Sequence, residues 1–151
     1  MVDEGIKMSL DEERHQGYKR LKIYQRAHKL AVQIHKLTLN LPKFEMFEEG
    51  SRIRRSSKSV SANIVEGYGL RHYKAEYLHY LIRSYASSLE TIEHLEYLYD
   101  TGSLKNQDSF REISQGYSEL NRMIFKFIES VEKQHTTDIF NSRPSKLTSN
   151  I

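Results

Sequence analysis

No cysteine occurs in the chain, which excludes a disulfide framework, thiolate metal ligation and a thiol nucleophile. Proline is confined to Pro42 and Pro144, so the long stretches between them are open to helix. No apolar run approaches the roughly 18 residues of a membrane span. The segment from Met1 to Gly17 is polar and mixed in charge, unlike a signal peptide. These absences lead to the expectation of a soluble, cytoplasmic protein with no membrane association. Charge of one sign is scarcely in excess: 23 Lys and Arg stand against 20 Asp and Glu, a formal net charge of +3. Any case for an anionic partner therefore rests on where the cations sit, not on their sum.

What the chain does have is helical periodicity. At 151 residues it is long enough for one domain with a packed core, and four segments carry an apolar stripe at three–four spacing. The first bears Ile23, Ala27, Leu30, Ile34, Leu37 and Leu41, and Pro42 is expected to end it. The second starts near Phe47 and bears Ile53, Ser57, Val60 and Ile64. It stops at Gly67-Tyr68-Gly69, where a glycine can adopt the left-handed terminal conformation. The third carries Leu78, Leu81, Tyr85, Ser88, Ile92, Leu95 and Tyr99 and ends at Thr101-Gly102. The fourth carries Phe110, Ile113, Tyr117, Leu120, Ile124, Phe127 and Val131, with Asp108 or Ser109 as N-cap. No strand pattern competes. The fold class predicted is all-α, an antiparallel up-down-up-down four-helix bundle. It spans residues 18–135, after a flexible segment 1–17 and before a disordered tail 136–151.

The second helix has faces that the core does not require. On a wheel of about 100° per residue, Arg52 and Arg54 flank the Ile53–Val60–Ile64 stripe while Arg55 and Lys58 point away from it. With Arg71 beyond the glycine turn they form a cationic arc, either a solvated face or the footprint of an anionic partner. Ala62 and Val65 are apolar on the side opposite the core. Tyr73, Tyr77 and Tyr80 make an aromatic stripe on the third helix, continued by Ser84 and Ser87. Such a stripe suits another helix, though tyrosine faces can also stack on unpaired bases. Asn63 and Glu66, three apart, are placed to satisfy each other or to fix register.

Catalytic and metal readings find little. Glu76-Tyr77-Leu78-His79 fits the Glu-x-x-His element of di-iron bundles, but that site needs the motif on two helices, facing inward. Here the pair faces outward, and the fourth helix has no histidine before His135. Gly67 and Gly69 follow no strand, so they make no nucleotide fingerprint. The expectation is no enzyme, no catalytic residue, no metal and no cofactor.

The run Arg55-Ser56-Ser57-Lys58-Ser59-Val60-Ser61-Ala62-Asn63-Ile64-Val65-Glu66-Gly67 resembles the signature of the 23S rRNA intervening-sequence proteins. That family also includes the accessory variability determinant of diversity-generating retroelements. Its usual pattern is Arg-Ala-x-x-Ser-Ile-x-Ala-Asn-Ile-Ala-Glu-Gly. Ser56 stands where alanine is usual, Ser61 where proline is, and Ser87-Ser88-Leu89 where Gly-Ser-Leu is. Tyr24 to Ala27 and Leu41-Pro42 to Glu45 fit the family's first helix and loop. The resemblance implies a homopentameric ring of bundles with a positive surface, and for retroelement members binding to nucleic acid and to a reverse transcriptase.

Two functions follow as expectations. One is a non-enzymatic oligomer binding RNA or DNA through Arg52, Arg54, Arg55, Lys58 and Arg71, with Ala62, Val65, Tyr73, Tyr77 and Tyr80 at subunit contacts and Asn63, Glu66 and Gly67 as the structural motif. The other is an interaction or scaffold module in which the same arc docks an acidic protein.

Overall fold

A computed structural model describes residues 9–10 and 15–142, with residues 134–142 as backbone only. Four helices carry the fold: α1 (Lys22–Thr38), α2 (Glu49–Gly69), α3 (Lys74–Asp100) and α4 (Gln107–Ser142). Short 3-10 turns precede α1 (Gly17–Arg20) and α2 (Lys43–Met46). No strand occurs among the described residues, and the chain is an all-α four-helix bundle. Helix α1 packs on α2 and α4, and α3 packs on α2 and α4, closing a four-cornered layout. Cross-helix bonds join Val60 to Ser84 and Ser56 to Thr91, so α2 and α3 run in opposite directions. Helix α4 continues to Ser142, beyond the expected limit at residue 135. Residues 143–151 of the expected tail, and 1–8 and 11–14 of the expected N-terminal segment, lie outside the described residues.

The stripes of α1, α2 and α4 form the core as their spacing predicts. Ile23, Ala27, Leu30, Ile34, Ile53, Val60, Ile64, Ile113, Tyr117, Leu120 and Ile124 are buried together. Helix α3 corrects the expectation. Leu81, Ser88 and Leu95 are buried as the stripe predicts, but Tyr77, Ser84, Thr91 and Leu98 complete the buried line where Leu78, Tyr85, Ile92 and Tyr99 are expected. Small hydroxyl side chains on that line let α2 approach closely, and each hydroxyl finds a partner. Ser84 Oγ donates to the Val60 carbonyl at 2.7 Å, Thr91 Oγ1 lies 2.9 Å from Ser56 Oγ, and Ser88 donates to Asn121. Ser84 therefore belongs to the interior rather than to an outer stripe.

Both helix-end expectations at the turns also change. Gly67 and Gly69 are helical, and the left-handed glycine is Gly102, at φ 82°. A Cβ on Gly67 would stand 3.1 Å from the Tyr80 Cβ and 3.3 Å from the Tyr77 ring, so that glycine serves close approach of α3. The cap of α4 is Asn106, whose Oδ1 accepts from the Ser109 amide at 3.1 Å, not Asp108 or Ser109. Among the described residues no helix is long and apolar enough to cross a membrane.

Candidate functional site

The predicted cationic arc divides in two. Arg52, Arg55 and Lys58 are exposed on α2, with Lys58 Nζ 3.2 Å from His35 Nδ1 of α1. Arg54 instead folds back and donates to the Met46 carbonyl at 2.7 Å, fastening the loop before its own helix. Arg71 donates to the Tyr68 carbonyl at 3.1 Å and lies over the Tyr68 ring, 4.2 Å from its centroid. Two of the five cations are thus engaged in local structure, and three face solvent.

Helix α1 supplies what the α2 wheel missed. Between Gly17 and Phe44 the sequence has seven lysines and arginines and no acidic residue. Lys22, Arg26, Lys29 and Lys36 are all exposed on α1. Arg26 reaches Glu119 of α4 at 2.9 Å, and Lys22, Arg26 and Lys29 line an open groove of about 290 Å³ beside Met123. From Ala75 to Lys133 the balance reverses, with ten acids against six cations. The α1–α2 pair is therefore the basic half of the bundle and α3–α4 the acidic half. Counting charge helix by helix would have found this; net charge conceals it. Lys22, Arg26 and Lys29 lie on the flank of α1 that meets Met123 and Glu119 of α4, and His35 on the flank that meets Lys58 of α2.

The expected outer patch is only partly outside. Ala62 and Tyr73 are exposed, Tyr73 at 67%, while Val65 and Tyr80 are half-buried. Tyr77 is a correction: it is 6% exposed, in the core, with its ring edge-on to Phe127 at 6.1 Å. Burial pushes the Tyr77 hydroxyl up to about 12. Tyr117, deep between the helices beside Ser57, is raised further by the same cause.

Asn63 and Glu66 do not pair. Asn63 Nδ2 donates to the Ser59 carbonyl at 2.9 Å and lies 3.0 Å from Ser59 Oγ, which in turn meets Ser87 Oγ at 3.0 Å. This chain of bonds links α2 to α3 and sets their register, while Glu66 is exposed and takes no part. Glu76 and His79 are both exposed on α3. Among the described residues no three His, Asp or Glu side chains gather where one ion could bridge them.

No curated protein matches the sequence. A solved structure does: a protein of unknown function from the S23 ribosomal protein family of Bacteroides thetaiotaomicron. It is 24% identical, covers 71% of this chain and 95% of its own, and superposes with a TM-score of 0.64, a likeness of fold. Residues 19–126 match the family described as 23S rRNA-intervening sequence protein. That match takes in α1, the Arg54-held loop, the Asn63–Ser59–Ser87 bonds and most of α4. This chain belongs to the 23S rRNA-intervening sequence protein family.

Proposed function

We propose that this is a non-enzymatic, oligomeric protein that binds nucleic acid through its α1–α2 side. The observation that carries the reading is the charge partition: an acid-free α1 beside the exposed Arg52, Arg55 and Lys58 of α2. A stripe of cations on one side of a nearly neutral chain attracts phosphates and releases their counterions. Contacts of lysine and arginine to phosphate position a strand without reading its sequence. Arg54 and Arg71, held on backbone carbonyls, contribute charge but not direct contacts. Reversing Arg52, Arg55 and Lys58 to glutamate is expected to weaken binding of a mixed-sequence oligonucleotide at least tenfold. Unchanged affinity rejects the reading.

Self-association into a ring of five subunits is part of the same proposal, with Ala62, Val65, Tyr73 and Tyr80 at the contacts. The exposed ring of Tyr73 supports it. Light scattering of the purified protein tests it, and a monomer rejects it. A reverse transcriptase is the protein partner that the family resemblance suggests. A second reading has a specific observation behind it: a basic side of this kind also fits an acidic protein surface. In that case partner capture survives nuclease treatment and no oligonucleotide binds.

A further inference from the structure

The loop between α1 and α2 holds two phenylalanines in water. Phe44 is 64% exposed and Phe47 88%. A mobile loop could expose rings by chance, but this one is pinned from beneath by four contacts. The Glu45 amide donates to the Pro42 carbonyl at 2.9 Å. The buried Glu45 carboxylate accepts from the Glu49 amide at 3.2 Å and from Ser103 Oγ at 3.0 Å. Arg54 grips the Met46 carbonyl. Gly50 lets the loop lie so close that a Cβ there would stand 2.3 Å from the Glu45 carbonyl oxygen. A buried acid, a half-buried arginine and an obligatory glycine therefore keep this loop in one shape.

Phe44 lies in the 3-10 turn and Phe47 directly follows it, so the two exposed rings are three residues apart on one short loop. Exposed Lys43 precedes them and exposed Arg52 and Arg55 follow on the first turns of α2. Of the nearby acids, Glu45 faces Ser103 and Glu49 reaches His94 at 2.6 Å, which leaves Glu48 as the outward one. Two rings offer on the order of 300 Å² of apolar surface, well under the roughly 800 Å² per partner of a stable protein interface. Isolated rings beside cations are instead the composition of a site for unpaired bases, where the ring stacks and the cation holds the phosphate.

We infer that Phe44 and Phe47 form a stacking site for unpaired bases, so that the protein favours single-stranded over duplex nucleic acid. This rests on the nucleic-acid reading above and names the form of nucleic acid bound. Phosphates run along Lys43, Arg52 and Arg55, and bases turn onto the two rings.

The test compares Phe44→Leu/Phe47→Leu with the parent chain on single-stranded RNA, single-stranded DNA and a matched duplex. Leucine keeps apolar area and loses the ring. The variant is expected to lose about tenfold or more in affinity for both single strands, with duplex affinity unchanged. Equal single-strand affinity in variant and parent, with the parent binding nucleic acid, overturns the stacking site alone. A parent that binds no nucleic acid overturns both readings. The chain contains no tryptophan, so Phe47→Trp gives a single-site signal. Quenching of its fluorescence by oligo(dT) or oligo(U) is expected. A blue shift with phosphatidylglycerol vesicles and no response to oligonucleotide assigns the rings to a membrane surface and overturns the proposal. So does dissociation of an oligomer in the leucine variant, which makes the rings a subunit contact.

Discussion

Single residues decide where this fold is tight. Gly50 faces the Glu45 carbonyl so closely that any side chain must displace backbone. Gly50→Ala is expected to destabilise by about 1–3 kcal/mol, as overpacking does, read from urea denaturation. Gly69 is the contrast: it is helical, and a Cβ there would meet nothing within 4 Å. Gly69→Ala is expected to be neutral or to stabilise by about 0.5–1 kcal/mol, because alanine has less backbone entropy to lose. A second residue-scale expectation concerns alkali. Tyr77 and Tyr117 must stay protonated to remain in the core, and their folded values lie above the ordinary 10.0. Their contribution is fully present below about pH 10, where the unfolded chain also keeps its phenols protonated. It is lost as pH rises from there through the raised folded values, about 12 for Tyr77. Melting temperature should fall over that window in the parent, and less in Tyr77→Phe/Tyr117→Phe. Equal slopes for the two proteins would show that these phenols do not govern the alkaline limit.

At the scale of elements, the α2–α3 pair is held close by hydroxyls. Ser84→Ala removes one bond to the Val60 carbonyl and leaves the helices in place, at a cost of about 1 kcal/mol. Ser84→Leu forces α2 and α3 apart and is expected to cost clearly more, about 1–3 kcal/mol beyond the alanine variant. Leucine tolerated as well as alanine would mean that the helices are not packed as closely as the Ser84 bond implies. The same pair explains what could be read from the sequence. Ile53, Val60 and Ile64, or Ile113, Tyr117 and Leu120, announce their core face by apolar spacing alone. On α3 two lines have that spacing, and the one with larger apolar residues, Leu78, Tyr85 and Ile92, drew the assignment. The buried line carries Ser84 and Thr91 in their place, whose burial depends on partners across the bundle. Periodicity within one helix contains no information about those partners. Gly67 misled for a related reason: a glycine near a helix end serves a left-handed turn or a close contact equally well, and only the neighbouring Tyr77 and Tyr80 distinguish them.

At the scale of the whole molecule, charge is sorted by side, and the proposed function depends on that sorting. The α2 wheel found Arg52, Arg55 and Lys58, but a wheel cannot tell that Arg54 turns back onto Met46 or that Arg71 lies on Tyr68. It also leaves out the neighbouring helix, where exposed Lys22, Lys29 and Lys36 add positive charge to the same helix pair, Lys22 and Lys29 on the flank toward α4. Sorting makes control substitutions available: Arg122 and Lys126 lie on α4 beside Tyr85 and Phe125, on the acidic side. The most direct test is the salt dependence of oligonucleotide affinity, measured for three proteins. These are the parent, Lys22→Glu/Lys29→Glu/Arg55→Glu/Lys58→Glu, and Arg122→Glu/Lys126→Glu. The parent should lose affinity linearly on a logarithmic salt axis. The α1–α2 variant should bind at least tenfold more weakly with a shallower slope, and the α4 variant should stay close to the parent. Affinity that does not depend on salt, or that falls equally in both variants, would contradict a nucleic-acid surface on the α1–α2 side.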